Sequence, residues 1–173
     1  MKYWIVPVAA LALGVAVLAT CGKAQAAAET CTVGATTLPF GNFDVYSAPM
    51  TVTATLAGTC KKGSGTLPSI TITLDNGLNI QGSGNRAMSC STCTGAFLGD
   101  LLQYQIYTTA SLTTVWSGVT TVTAVNPCPC VGNTSVAWGP VTMYGQIFTA
   151  VAGGINDSAV GTYGDTVTAT VNY

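Results

Sequence analysis

The chain has 173 residues, of which 49% are hydrophobic and 6% are charged, and it contains no histidine. Its formal net charge is −1 at pH 7, so it lacks the basic surface with which proteins displace counterions from nucleic acid. Without histidine, neither a Ser-His-Asp triad nor a Cys-His pair can form. The composition therefore predicts a protein that is not an enzyme, needs no cofactor and binds neither nucleic acid nor a small-molecule substrate.

The first 26 residues have the pattern of a secretory signal peptide. Lys2 supplies a positive charge, the stretch from Ile5 to Ala19 is mostly apolar, and Ala24-Gln25-Ala26 matches a signal-peptidase site. The apolar stretch is too short to span a bilayer comfortably, which disfavours a retained transmembrane helix. We therefore predict export with cleavage after Ala26, which leaves a single domain of residues 27–173.

Cys21 allows a second interpretation of this leader. The sequence Leu18-Ala19-Thr20-Cys21 is weakly similar to a lipoprotein box, in which the cysteine becomes a lipidated N-terminus. Threonine fits poorly before that cysteine, whereas the Ala-x-Ala site downstream fits well. Cleavage after Ala26 is the favoured prediction, and it also removes Cys21 from the exported protein.

Six cysteines remain after cleavage: Cys31, Cys60, Cys90, Cys93, Cys128 and Cys130. In an oxidising compartment an even number predicts up to three disulfides and no free thiol, with the pairing left open. The spacings Cys90-x-x-Cys93 and Cys128-x-Cys130 also allow a four-thiolate zinc site or a redox module. Because structural zinc sites place two to four residues between paired ligands, disulfides without a metal are the favoured prediction.

The sequence after the predicted cleavage site indicates short strands rich in threonine and valine. Met50–Thr59 and Ile70–Leu74 alternate apolar residues with threonine, the pattern of half-buried strands. Asp75-Asn76-Gly77 then has the composition of a hairpin turn. No helical pattern follows the leader, and the spacing predicts an antiparallel, immunoglobulin-like β-sandwich. Further candidate strands are Leu102–Thr108, Thr113–Trp116, Thr120–Val125, Ser135–Trp138 and Val141–Val151.

The last candidate strand has one apolar face and one polar face. Val167, Ala169, Val171 and Tyr173 alternate with Thr166, Thr168, Thr170 and Asn172, so one face is expected to lie in the core. Such a strand must be paired on both sides, or it exposes backbone groups that can pair with another chain. An ordinary last strand of a closed sandwich would show the same pattern.

Six motifs in order resemble the spore coat protein U domain family, which includes the subunits of archaic chaperone-usher pili. The resemblance runs from Cys31 to Tyr173, and the order of the motifs makes it more specific than any one of them. The motifs are Leu38-Pro39-Phe40-Gly41-Asn42-Phe43-Asp44, a Thr-rich strand closed by Cys60, Asn85-Arg86-Ala87-Met88, Leu102-Gln103-Tyr104-Gln105-Ile106-Tyr107, Val115-Trp116-Ser117-Gly118 and the ending Gly161–Tyr173.

This resemblance implies an incomplete sandwich that lacks its last strand. A periplasmic pilus chaperone would fill the gap, and an N-terminal extension of a neighbouring subunit would replace it, by β-strand addition. The implied partners are that chaperone, an outer-membrane usher and other pilus subunits, on a route through the periplasm to the cell surface. The implied acceptor edge consists of Thr166, Val167, Thr168, Ala169, Thr170, Val171, Asn172 and Tyr173.

The resemblance also implies a disulfide between Cys31 and Cys60. The other four cysteines depart from the family pattern. They lie in two loop-like stretches, and we expect them to cross-pair, Cys90 and Cys93 with Cys128 and Cys130, without assigning partners. Such bridges would connect residues 86–94 with residues 126–132.

The predicted cleavage leaves only Ala27–Thr30 before the first cysteine. Polymerising subunits of such pili carry about ten residues there, enough for one donor strand. We therefore expect a chain that accepts a strand but donates none, as a tip or cap subunit with a possible role in adhesion and biofilms. The alternative is a secreted coat or matrix protein that does not polymerise. Exposed Ala96-Phe97-Leu98 or Ile147-Phe148 would mark an adhesin, but burial is expected for both.

Overall fold

Strands dominate the computed structural model, which describes residues 4–6, 29–44, 49–61, 64–65, 69–81, 84–124, 130–131, 134–151, 154–155 and 159–173. The predicted cleavage site and Cys21 lie outside these residues. A single turn of 3-10 helix, Gly95–Phe97, is the one helical element in the described part of the chain. Across the same residues, no helix has the length and hydrophobicity needed to cross a membrane.

The described strands are short, apart from two long ones in the middle of the larger sheet. In chain order they are β1 Trp4–Val6, β2 Thr30–Val33, β3 Met50–Lys61, β4 Ser64–Gly65, β5 Ile70–Leu74, β6 Ile80–Gln81, β7 Asn85–Cys90, β8 Leu101–Tyr107, β9 Val122–Ala124, β10 Cys130–Val131, β11 Ser135–Ile147, β12 Ala150–Val151, β13 Gly154–Ile155, β14 Tyr163–Gly164 and β15 Ala169–Asn172.

Two antiparallel sheets form the body of the domain. The larger sheet has the order β14-β7-β8-β11-β3-β2, with β6 added beside β7. The smaller sheet has the order β1-β15-β5-β9. Two short pairs, β10 with β4 and β12 with β13, lie apart from these sheets. The strand nearest the C-terminus therefore lies inside the smaller sheet, between β1 and β5.

Apolar residues from both sheets pack between them and form one core, as expected for a sandwich. Two fully buried tryptophans contribute the largest side chains. The indole N–H of Trp116 donates to the Ile72 carbonyl over 3.0 Å, and that of Trp138 donates to the Thr32 carbonyl over 3.0 Å. Each ring is therefore buried with its polar atom satisfied. Other core members are Leu56, Cys60, Ile70, Ile72, Leu74, Leu102, Ile106, Met143, Ile147, Ala169 and Val171.

Strands with a clear local alternation were predicted well. Met50–Thr59, Ile70–Leu74 and Leu102–Thr108 are confirmed as β3, β5 and β8 to within two residues at each end. The described part of Thr120–Val125 contains the shorter β9. The prediction of a strand at Thr113–Trp116 was wrong, because Val115 makes only an isolated bridge to Tyr107.

Two strands that were predicted separately, on either side of Gly139-Pro140, are joined in the structure. Ser135–Trp138 and the first part of Val141–Val151 form one strand, β11, whose pairing with β3 is irregular between Trp138 and Val141. Gly139 lies in this irregularity with φ of +87°, a conformation that glycine adopts readily. The irregular step accommodates the proline, so the strand continues beyond it.

The predicted hairpin at Asp75-Asn76-Gly77 is also wrong. β5 pairs with β15 and β9, while β6 pairs with β7 in the other sheet. The segment therefore carries the chain from one sheet to the other. The Asp75 carboxylate accepts a hydrogen bond from the Gly77 N–H over 2.9 Å, a local turn that fixes the crossover without pairing the flanking strands.

Candidate functional site

The strand nearest the C-terminus has the buried face that its alternation predicts. Ala169 and Val171 are 1% and 2% exposed, and Val167 and Tyr173 pack partly buried against the same core. The strand itself, Ala169–Asn172, is shorter than the predicted Thr166–Tyr173. On one side it pairs with β5, with Ala169 opposite Leu74 and Val171 opposite Ile72. One face of this strand thus packs on the core, and one edge pairs with β5.

The other edge of β15 pairs with residues of the predicted leader. Trp4 lies opposite Val171, Ile5 opposite Thr170 and Val6 opposite Ala169, in an antiparallel ladder. In the described residues, β1 is the outer neighbour of β15 in the smaller sheet. If cleavage follows Ala26 as predicted, removal of the leader takes this neighbour away.

Two carboxylates hold the segment that leads into β15. Asp165 accepts hydrogen bonds from the Tyr104 hydroxyl over 2.7 Å and from the Leu78 N–H over 2.9 Å. Asp75 accepts one from the Thr168 N–H over 2.8 Å. Residues 165–168 lie outside any strand, so these bonds satisfy backbone donors that no strand partner satisfies.

Arg86, from a motif of the sequence analysis, is fully buried beside these carboxylates. Its Nε and Nη2 donate to the Asp75 carbonyl over 3.0 and 2.5 Å, and Nη2 also donates to the Trp116 carbonyl over 2.6 Å. Nη1 donates to the Gln105 side chain. Burial lowers the pKa of Arg86, opposed by the charges of Tyr104, Asp75 and Asp165. One guanidinium therefore connects β7, β8, the end of β5 and the Trp116 segment.

Tyr104 extends this network on the larger sheet. Burial raises the pKa of its hydroxyl well above the ordinary value, and the hydrogen bond to Asp165 raises it further. The phenol therefore stays protonated and donates to Asp165 at ordinary pH. The sequence analysis placed Asp75 in a hairpin turn and missed this network. The available signal was the small number of charges in the chain, with Arg86 and Asp75 beside apolar strands.

A cavity of about 220 Å³ lies between the sheets next to β15. Its walls are largely apolar, and Phe40 of the first family-like motif contributes to them. The Phe40 and Tyr104 rings meet edge-on, with centroids 5.8 Å apart, a favoured aromatic geometry. A Cβ at Gly145 would approach the Phe40 ring to 2.8 Å, so glycine there makes room for the ring. Other lining residues are Leu38, Leu56, Leu74, Met88, Val167 and Ala169.

The disulfide between Cys31 and Cys60 is confirmed, with an S–S distance of 2.02 Å. The two cysteines lie directly opposite each other on β2 and β3. The expected cross-pairing of Cys90 and Cys93 with Cys128 and Cys130 is wrong, because Cys90 and Cys93 are bonded to each other.

The local turn after β7 explains this pairing. The Cys93 N–H donates to Cys90 Sγ over 3.1 Å, which folds the four-residue segment Cys90–Cys93 back on itself. A Cβ at Gly161 would lie only 2.4 Å from Cys90 Sγ, so the glycine allows its loop to cover the bridge. Cys130 begins β10, and Cys128 lies outside the described residues. Within the described ranges, no cluster of three His, Cys, Asp or Glu residues could hold a metal ion.

The model of the Spore Coat Protein U domain family matches residues 16–170. The chain belongs to this family. No curated protein matches it. A similar solved structure is a complex of CsuC with CsuE, a chaperone–tip adhesion subunit pre-assembly complex from archaic chaperone-usher Csu pili of Acinetobacter baumannii. The match has 23% identity and a TM-score of 0.52, and it covers 84% of this chain but 40% of that one. The likeness therefore concerns the fold.

This Spore Coat Protein U domain exposes apolar side chains beside the Cys90–Cys93 bridge. Phe97 and Leu98 are 59% and 78% exposed, so their expected burial is wrong. Val160, on a neighbouring loop, is fully exposed. Asp100 joins the two loops, because its carboxylate accepts from the Ala159 N–H over 2.5 Å and from the Tyr163 hydroxyl over 3.1 Å. We call Phe97, Leu98 and Val160 the apolar tip.

The second pair of adhesin candidates behaves differently. Ile147 is 1% exposed and belongs to the core, as expected, and Phe148 is half-buried. Ile147 ends β11 opposite Tyr104, so its side chain follows the alternation of a central strand. Phe97 and Leu98 lie outside any strand, in and just after the 3-10 turn, so no strand alternation directs their side chains into the core. The general tendency of apolar residues to be buried therefore gave the wrong prediction for them.

Proposed function

We propose that this chain is a structural subunit of a bacterial chaperone-usher surface fibre, exported to the periplasm and assembled by strand addition at the outer edge of β15. Membership of the Spore Coat Protein U domain family supports this, as does the two-sheet fold. One observation carries the proposal: Ala169 and Val171 are buried in the core, while the outer edge of their strand is paired, among the described residues, by the predicted leader alone.

Strand addition at this edge would reuse the bonds that β1 makes. Main-chain hydrogen bonds would provide the affinity, and alternate side chains of the added strand would face the core beside Ala169 and Val171. The apolar cavity beside Val167 and Leu38 offers room for a further side chain. The first donor would be a periplasmic chaperone, replaced at an outer-membrane usher by another subunit.

A photo-crosslinking amino acid at Thr170 tests this proposal. Thr170 lies on β15 between the buried Ala169 and Val171, so its side chain belongs to the opposite face. Thr123 on β9, at the far edge of the same sheet, is the matched control. In the native host, Thr170 should capture a chaperone in the periplasm and another fibre subunit at the cell surface, and Thr123 should capture neither.

The alternative of a secreted coat or matrix protein makes a different prediction for the same experiment. The protein would then reach the outside of the cell without any partner cross-linked through Thr170. That result would contradict assembly by strand addition. Equal capture through Thr170 and Thr123 would also contradict it, because the contact would not be specific to the β15 edge.

A terminal, adhesive position in the fibre is a second candidate, favoured by the apolar tip. Exposed apolar side chains held on loops that a disulfide and Asp100 brace can contact hydrophobic surfaces. The double variant Phe97→Ser/Leu98→Ser should reduce attachment of cells to polystyrene, whereas Leu78→Ser/Val119→Ser, at exposed apolar positions elsewhere, should not. Equal attachment of both variants would contradict an adhesive tip.

The sequence of the mature N-terminus tests the terminal position independently of adhesion. With only Ala27–Thr30 before Cys31, a subunit would have no segment long enough to donate a strand. A mature N-terminus at Ala27 and the absence of fibres composed of this subunit alone are the expected results. A mature N-terminus well upstream, together with long homopolymers, would make the chain a shaft subunit.

A further inference from the structure

The loop between β7 and β8 has a disulfide at its base and carries two members of the apolar tip. β7 ends at Cys90 and β8 begins at Leu101, so the loop consists of residues 91–100. The Cys90 N–H donates to the Asp100 carbonyl over 2.9 Å and closes the loop where the two strands end. The bridge to Cys93 ties down the first residues of the loop. The exposed apolar side chains therefore stand on the remaining, shorter part.

Local hydrogen bonds shape this exposed part of the loop. The Phe97 N–H donates to the Thr94 carbonyl over 3.3 Å, and the Leu98 N–H donates to the Gly95 carbonyl over 3.2 Å. Gly95, Ala96 and Phe97, which form the 3-10 turn, are all exposed. Because a single helical turn without burial is unstable by itself, its order depends on the base of the loop.

The sulfur atoms at this base lie beneath the loop of residues 159–162. Cys90 and Cys93 are 5% and 7% exposed. A Cβ at Gly161 would lie 2.4 Å from the first sulfur and 2.8 Å from the second, so only glycine allows the loop to approach so closely. We call residues 159–162 the cover. A reagent in solution reaches the sulfur atoms when the cover lifts.

Hydrogen bonds between exposed residues fasten the cover to the bridged segment. The Ser91 N–H donates to the Thr162 carbonyl over 2.8 Å, and the Thr162 N–H donates to Thr92 Oγ1 over 2.8 Å. All three residues are exposed. Surface segments held by solvent-exposed backbone bonds open locally at a small fraction of the free energy of global unfolding. The bridge is therefore accessible without separation of the two sheets.

We propose that the Cys90–Cys93 bridge is a redox-controlled latch of the apolar tip. The oxidised bridge holds the tip in its exposed turn, and reduction by a dithiol releases the loop and disorders the tip. The body of the domain stays folded, because the Cys31–Cys60 bridge and the core between the sheets do not include this loop. This inference rests on the proposed adhesive role of the apolar tip.

The hydrogen bond at the bridge favours one direction of reduction. The Cys93 N–H donates to Cys90 Sγ, and such a donor stabilises a thiolate on that sulfur. A thiolate of the dithiol attacks Cys93 Sγ, the bond between the two cysteines breaks, and Cys90 leaves as a thiolate. The second thiol of the reagent then displaces Cys93. The two cysteines gain two electrons and two protons, and the reagent becomes a disulfide.

Deuterium exchange before and after treatment with dithiothreitol tests the latch on the protein isolated from the periplasm with any chaperone that accompanies it. Alkylation and mass spectrometry identify which bridge has opened. Opening of Cys90–Cys93 should accelerate exchange at the Leu98 and Asp100 amides about tenfold, while the amides of β3 and β11 keep their rates. Cells that display the protein should then attach less to polystyrene.

A variant at Thr92 keeps both cysteines in place. Thr92→Val removes the acceptor of the Thr162 N–H, so the cover should open more often and dithiothreitol should reduce the bridge about fivefold faster. Thr94→Val is the matched control, because Thr94 is exposed on the same loop and its side chain makes no capping hydrogen bond. Equal rates of reduction in the two variants would overturn the proposal.

A variant without the bridge separates the latch from the adhesive role. Cys90→Ala/Cys93→Ala should show fast exchange at the tip, a folded body and attachment that dithiothreitol does not change. Slow exchange at the Leu98 amide in this variant would overturn the latch, as would a bridge that dithiothreitol opens only after Cys31–Cys60. Fast exchange at the tip with undiminished attachment would support the latch and contradict the adhesive tip.

Discussion

Asp75 and Thr168 are joined by two hydrogen bonds in opposite directions. The Asp75 N–H donates to the Thr168 carbonyl over 2.9 Å, and the Thr168 N–H donates to Asp75 Oδ1 over 2.8 Å. The first bond extends the pairing between β5 and β15 by one step, and the second supplies a carboxylate acceptor to a backbone donor. The pair therefore sets the position at which β15 begins.

Replacing Asp75 tests this pair. Asp75→Ala should lower the free energy of unfolding by about 1 kcal/mol, because the Thr168 and Gly77 N–H groups lose their acceptor at a partly solvated site. Asp75→Asn retains an acceptor oxygen and should lose less. Denaturant unfolding measures both variants, with Asn76→Ala as the adjacent control; equal stability of Asp75→Ala and the control would refute the role of the pair.

Arg86 is expected to be far less replaceable than an exposed cation. Arg86→Met removes the donors to the Asp75 and Trp116 carbonyls and should lower the free energy of unfolding on the order of 3 kcal/mol. Arg86→Lys keeps the charge but not the planar fork, so its loss should be intermediate. The control is Lys61→Met on the exposed side of β3. A similar loss for both methionine variants would count against the network.

The two disulfides should differ in their contribution to stability. They close loops with sequence separations of 29 and 3 residues, and loop entropy predicts about 4 kcal/mol for the first and about 2 kcal/mol for the second. The variants Cys31→Ala/Cys60→Ala and Cys90→Ala/Cys93→Ala can be compared by thermal unfolding. A larger loss of stability on removing Cys90–Cys93 than on removing Cys31–Cys60 would contradict the loop-entropy prediction. It would show that the bridge beside the apolar tip stabilises structure beyond the loop it closes.

Because the Tyr104 hydroxyl is buried, we expect the protein to lose stability at alkaline pH. Burial and the hydrogen bond to Asp165 raise the pKa of this hydroxyl above the ordinary tyrosine value of about 10, so below pH 10 the hydroxyl is mostly protonated in both the folded and the unfolded chain. Above pH 10 the unfolded chain releases this proton first, and stability should fall by up to about 1.4 kcal/mol per pH unit.

Tyr104→Phe isolates this effect. The variant should be less stable at neutral pH, because it loses the hydrogen bond to Asp165, but its free energy of unfolding should depend less on pH between 10 and 11.5. Tyr107, whose pKa burial also raises, is present in both proteins, so the difference in slope belongs to Tyr104. Parallel pH profiles would contradict the assignment.

Local alternation made part of the fold predictable. In β3 and β5, residues of greater and lesser burial alternate, and β8 is buried along nearly its whole length. The order of apolar and polar residues within each of these segments was enough to predict the strand. The hairpin expected at Asp75 failed because a turn sequence does not specify which strands pair. The two strands predicted on either side of Pro140 are one strand, because an irregular step in the pairing with β3 accommodates the proline.

The polar network beside β15 could not be predicted in the same way. The burial of Arg86 depends on carbonyls at Asp75 and Trp116, which are separated from it along the chain by 11 and 30 residues. No pattern around Arg86 records those partners. The Cys90–Cys93 bridge was missed for a related reason. Counting cysteines leaves all pairings open, and this pairing accompanies a local turn, in which the Cys93 N–H donates to Cys90 Sγ, that the spacing alone does not specify.

The position of β15 in the smaller sheet also constrains the time course of folding. Of the strands described, it is the last to emerge during synthesis, yet it lies between β1 and β5 rather than at an edge. The larger sheet can be assembled earlier, but the buried residues of β5 cannot be covered until residues 169–172 have been synthesised. Contacts between segments so distant in sequence form slowly, and a newly made chain will therefore expose apolar surface for longest on this side.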